Sequence, residues 1–178
     1  FAAMIGRGED EAREIYQRYD EELPFVTELA RRCQSAGENR GWIRLLDGAR
    51  LHFDRWERAW RDGGYDQPKL LEDARAAWPG ERLRRAFCYQ AMNSLIQGSA
   101  ARQTKLAMRA CWREGLVPLL QMHDELDFSV SDEATGNRVG EIMRDVVKLE
   151  VPVKADLEYG PSWGQAEFSF TEARGMIG

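Results

Sequence analysis

Val117-Pro118-Leu119-Leu120-Gln121-Met122-His123-Asp124-Glu125-Leu126-Asp127-Phe128-Ser129-Val130 is the stretch from which the fold is read. The run 117–122 is largely apolar, His123-Asp124-Glu125 breaks it, and Leu126, Phe128 and Val130 then alternate with Asp127 and Ser129. Alternation with a period of two marks a strand with one buried face. A polar break between two such runs predicts a β-hairpin with an acidic tip. A strand–turn–strand holds its tip side chains rigidly at a sheet edge. Asp124 and Glu125 there suit Mg²⁺, which takes hard oxygen ligands in octahedral geometry. His123 beside them can donate to a phosphate or a sugar. An acidic pair is also what an ordinary solvated turn carries, so the tip alone leaves both readings open.

Upstream, residues 82–114 read as one long helix, with Leu83, Phe87, Met92, Leu95, Ile96, Ala100, Leu106 and Cys111 as its apolar stripe. Gly98 interrupts it, at a cost of about 1 kcal/mol relative to Ala, which points to close packing or a ligand. From Arg82 to Arg113 the chain carries Arg82, Arg84, Arg85, Arg102, Lys105, Arg109 and Arg113 and no acid. Asn93, Gln97 and Gln103 lie on the same helix. Amides hydrogen-bond base edges or sugars, and Arg and Lys neutralise phosphates. A solvated basic face has the same composition. The net charge of −5 does not exclude nucleic acid, because binding follows the local field.

Working outward, 9–36 reads as two helices, with Pro24 in the first turn of the second. Residues 42–53 read as two short strands around Asp47-Gly48. Residues 54–81 mix Trp56, Trp60 and Trp78 with Gly63-Gly64, Pro68 and Pro79-Gly80. They predict a short helix at 54–61, a loop, and a helix near 69–77. After the hairpin, Ser131 or Asp132 can cap a helix over 133–149. Residues 151–159 then read as a strand, and the tail frays. Helix, short hairpin, helix, hairpin, helix and strand in that order predict an α+β fold, an antiparallel sheet covered by helices on one face.

No run approaches the roughly 20 apolar residues of a membrane span. Cys33, Cys88 and Cys111 form no CxxC pair and read as buried, reduced thiols of a cytoplasmic protein. The chain begins at Phe1 rather than Met and is read as a piece of a longer reading frame or a processed product.

Four ordered segments resemble family A DNA polymerases. Gln121-Met122-His123-Asp124-Glu125-Leu126 is similar to that family's "QVHDEL" palm hairpin. Asn93-Ser94-Leu95-Ile96-Gln97-Gly98-Ser99-Ala100-Ala101 is similar to the preceding "NxxxQGxAA" helix. Leu46-Asp47-Gly48-Ala49-Arg50 resembles its "LDGRR" turn, and Gly160-Pro161-Ser162-Trp163 its near-terminal "G-x-x-W".

The resemblance implies a palm sheet covered by helices, with 1–41 as the last of the fingers helices, 42–178 as palm and 54–81 as an insertion. It implies that Asp124 is a catalytic carboxylate that binds Mg²⁺, with Glu125 as its acidic neighbour. His123 would contact the primer-terminal nucleotide and Gln121 the primer or templating pair. Asn93 and Gln97 would line the minor groove of the nascent duplex, where every correct pair presents similar acceptors. Arg102, Lys105 and Arg109 are added from charge alone. The implied partners are primer–template DNA and dNTP. The family's other metal-binding Asp and its dNTP-gripping helix belong to an earlier segment. The isolated chain is therefore expected to be inactive, and that earlier polymerase segment to be its partner.

Some positions depart from the family. Tyr89 stands where bacterial members carry Arg, Ser94-Leu95-Ile96 lacks their Pro, Asp127 replaces an apolar residue, and Ser129 stands where many have Glu. The first two point to a phage or prophage enzyme. A non-catalytic DNA-binding module and a metal-dependent phosphohydrolase remain as alternatives. The second has only His52 beyond His123 to draw on.

Overall fold

The computed structural model describes residues 2–60 and 66–177, and the chain divides into two compact units, Phe1–Ile96 and Gln97–Gly178. In the first, α1 (Ala2–Ile5) and α2 (Glu9–Glu22) precede α3 (Pro24–Arg40). The spacing of Ala12, Leu29 and Cys33 and the Pro24 start place these helices as expected. Gly41 ends α3 with φ 78°, and β1 (Trp42–Arg44) pairs antiparallel with β2 (Arg50–His52) around the Asp47-Gly48 turn. Ile43, Phe53, Cys33, Cys88 and Ala91 form the core of this unit, with Leu29, Leu51 and Met92 packed on it.

The expected helix at 54–61 is instead β3 (Trp56–Arg58), paired antiparallel with β4 (Leu83–Arg85). The cause is a partner distant in sequence. Glu57 faces Arg84 across the ladder and is bound by it at 2.8 Å, and Arg85 stacks over Trp56 at 4.5 Å. Cross-strand pairs of this kind override weak local propensity. The same pairing corrects the long helix. Residues 83–85 are strand, Phe87 adopts φ 64°, Cys88–Gln90 is a 3₁₀ turn, and α5 (Ala91–Arg113) begins only there. α4 (Leu71–Ala77) forms as expected; the Gly63-Gly64 loop lies outside the described residues.

In the second unit the remainder of α5 is followed by β5 (Leu120–Met122), β6 (Glu125–Asp127), α6 (Glu133–Asp145) and α7 (Phe170–Ile177). Asp132 caps α6, its Oδ1 accepting from the Thr135 N–H at 2.8 Å. That hydrogen bond holds the Asp132 carboxyl below its usual range. Cys111, Val139 and Ile142 form the core, with Leu116, Phe128 and Met143 against it. The expected strand at 151–159 forms only an isolated bridge, Tyr159 to Phe168. This segment lies against α6, where Gly136 and Gly140 leave room for the Tyr159 ring and the Leu157 side chain. The fold is α+β, and among the described residues its antiparallel pairing is spread over three two-stranded ladders. All three cysteines are free and buried, and burial pushes each thiol's pKa up.

Candidate functional site

The β5–β6 hairpin pairs Leu120 with Asp127, Gln121 with Leu126 and Met122 with Glu125, which leaves His123 and Asp124 as a two-residue tip. His123 has φ 52°, a left-handed conformation that few non-glycine residues adopt. The Gln121 Nε2 donates to the His123 carbonyl oxygen at 2.6 Å and braces this turn from within. Asp124 is thereby presented to solvent from a turn whose backbone is tied to its own strand.

Glu125 is the next side chain along. Its Oε1 accepts a hydrogen bond from the Trp163 indole N–H at 3.2 Å. Sequence reasoning recognised the segment that holds Trp163 but assigned this residue no role. An indole N–H has one donor and seeks an acceptor, but nothing local in the sequence points to Glu125, 38 positions away. Asp127 shares the Glu125 face of β6, two residues on. Its Oδ2 is buried with no hydrogen-bond partner. Burial first, and the neighbouring Glu125 carboxylate second, push the Asp127 pKa up. A hydrogen bond between the two carboxyls needs a proton on one of them.

Asp124, Glu125 and Asp127 open on a cleft of about 540 Å³, whose other walls include Gln103 and Thr104 of α5 and Lys154. At 3.6 residues per turn, Arg102, Lys105 and Arg109 fall on the opposite face of α5 from Gln103 and Thr104. The structure therefore does not bring these cations to the hairpin. Lys105 and Arg109 are exposed, and Arg102 is half-buried. Gln97 is exposed in the first turn of α5 within this unit, and Asn93 is exposed on α5 in the other unit. Arg84 and Arg85, counted in the basic stretch, serve the fold: Arg84 binds Glu57, and the Arg85 Nη1 donates to the Phe53 carbonyl at 2.8 Å.

As a metal site the hairpin is right in kind and short in number. Carboxylate oxygens suit a hard cation. Among the described residues, however, no three His, Cys, Asp or Glu side chains come close enough together to hold one. No helix among the described residues is long and apolar enough to cross a membrane.

The profile of DNA polymerase family A matches residues 1–165. The chain belongs to that family. Among family A relatives, it is 35% identical over 156 residues to the DNA-directed DNA polymerase of Pseudomonas phage M6, covering 88% of this chain and 20% of that protein. It is 42% identical over 166 residues to DNA polymerase I of Geobacillus stearothermophilus, covering 88% of this chain and 17% of the relative. The polymerase domain of Pol1 from M. smegmatis, solved in complex with DNA primer–template and dNTP, superposes with a TM-score of 0.66 at 28% identity. That match covers 93% of this chain and 27% of the solved one. The matches span only 8% to 24% of the length of the curated polymerases aligned with this chain.

Proposed function

We propose that the chain is the C-terminal portion of a DNA-directed DNA polymerase, with 1–41 from the fingers helices, 42–178 from the palm and 54–81 an insertion. The reaction is transfer of a nucleotide from dNTP to a primer 3′-hydroxyl. The observation that carries this reading is Asp124, exposed at the tip of a hairpin whose turn is braced by Gln121 and whose next carboxylate is held by Trp163.

Each residue has a task that its geometry allows. Asp124 would supply one carboxylate ligand for Mg²⁺, and the bound metal would supply acidification of the attacking hydroxyl and charge neutralisation at the leaving pyrophosphate. Glu125, its Oε1 accepting from the Trp163 indole N–H, adds negative charge beside that ligand. His123 contacts the primer terminus from the tip. Gln121 uses its amide N–H on the turn and keeps its Oε1 for the primer or templating pair. Asn93 and Gln97 offer amides to the minor groove.

Two metal ions carry four positive charges, and the described carboxylates are too few to hold them. The remaining donors therefore come from the earlier polymerase segment, and the isolated chain does not extend primers. Purified alone, it is expected to give no primer extension. Co-expressed with the segment that carries the second carboxylate and the dNTP-gripping helix, it should restore extension, and Asp124→Ala should abolish it again. Extension by the isolated chain would overturn the division of the metal site. Extension by the reconstituted pair that persists in Asp124→Ala would overturn the role of the hairpin.

A further inference from the structure

The β1–β2 hairpin carries a second cluster that none of these roles uses. Its inward side chains, Ile43, Leu45 and Leu51, are buried or half-buried on the first unit's core side. By the strand period of two, Trp42, Arg44, Arg50 and His52 all face outward. The ladder sets Arg44 directly opposite Arg50, and Trp42 opposite His52. Arg40, the last residue of α3, joins them. The Arg50, Arg40 and Arg44 guanidinium carbons lie 4.3, 4.6 and 5.9 Å from the centroid of the Trp42 ring.

Like charges directly opposite each other on a ladder are destabilising. No internal acid relieves these: among the described residues, Arg40, Arg44 and Arg50 make no ion pair with Asp or Glu. The nearby carboxylates are engaged elsewhere. Asp47 accepts from the Ala49 N–H at 3.1 Å, Glu38 from Gln34 at 2.9 Å, and Asp54 lies 4.0 Å from His52. A guanidinium held against an indole by cation–π attraction still has N–H donors to offer to other acceptors. Those donors match the paired oxygens of a phosphodiester.

We infer that Arg40, Arg44 and Arg50, oriented by Trp42, form a second nucleic-acid contact on the first unit, gripping the phosphate backbone without reading bases. The choice of DNA over other polyanions rests on the polymerase reading above; the cluster itself does not.

The test is fluorescence anisotropy of the full chain with a labelled primer–template, titrated at several salt concentrations. The paired substitution Arg44→Gln with Arg50→Gln is compared with Arg13→Gln plus Arg75→Gln, an exposed pair elsewhere that removes the same charge. Circular dichroism checks that both variants fold. The hairpin pair is expected to bind about tenfold more weakly at low salt. Its log–log salt slope should be shallower by about 0.9 for each duplex phosphate that the variant no longer neutralises. Arg44→Lys with Arg50→Lys should keep most of that slope, because the charge remains. Equal weakening by the distant pair, no weakening by the hairpin pair, or no DNA binding by the unaltered chain would each overturn the inference. The polymerase reading fails on a different result, extension by the reconstituted enzyme that ignores Asp124→Ala.

Discussion

Asp127 sits in an environment that disfavours its charged form. It lies on the Glu125 face of β6 with its Oδ2 buried and unpartnered, and burial first and Glu125 second raise its pKa above that of a free Asp. A group whose folded pKa is raised stabilises the fold below its unfolded value and loses that contribution as pH rises through the folded value. Ionised Asp127 is therefore a cost at neutral pH. Asp127→Asn should raise the urea midpoint at neutral pH in EDTA, and the gain should vanish toward about pH 4, where an unfolded Asp titrates. A gain that is equal at both pH values would show that the charge is not its source. Asp124 was legible in the sequence because a tip between two alternating runs is a local pattern. The grip of Trp163 on Glu125 was not, because the two residues are 38 positions apart.

Among the elements, the join between α3 and β1 depends on Gly41. Its φ of 78° and the Arg85 guanidinium against it leave no room for a methyl group, which would meet Arg85 Cζ at 2.5 Å. Gly41→Ala should cost about 1–3 kcal/mol, the range for a non-glycine residue forced into such a conformation. It should also displace Arg85 from Phe53 and Trp56, so indole fluorescence should change with stability in a denaturant series. An unchanged midpoint would mean that the join adjusts freely. The helices α2, α3, α4 and α6 were readable because their apolar spacing is written within each segment, helped by the Pro24 start of α3 and the Asp132 cap of α6. The β3–β4 ladder was not, because Glu57 and Arg84 meet across 27 positions. Helical spacing over residues 82–90 was a coincidence that the ladder overrode. The segment 151–159 forms no strand beyond the Tyr159–Phe168 bridge; its Leu157 and Tyr159 side chains lie against two glycines of α6.

Across the whole molecule, the buried positions are occupied largely by small side chains. Ala12, Ala74, Ala86, Ala91, Ala107 and Ala173 are buried, and among the described residues the largest side chain under 2% exposed is Cys111. Trp60, Trp112 and Leu119 are instead 82%, 65% and 71% exposed. A fully buried large apolar side chain stabilises by about 1.5–3 kcal/mol, and alanine by far less. The chain should therefore lie near or below the low end of the usual range of about 5–15 kcal/mol. Urea unfolding followed by circular dichroism should give an early midpoint, and saturating primer–template should raise it by mass action. A midpoint indifferent to DNA would count against binding by the folded chain. The family, the acidic hairpin and most helices were determined by the sequence alone, because each is encoded by neighbours within a turn or two. The pairing of β3 with β4, the choice of Arg84 and Arg85 as cations that serve the fold, and the grip of Trp163 on Glu125 were decided only by tertiary structure. Those outcomes depend on contacts between residues that chain order keeps far apart.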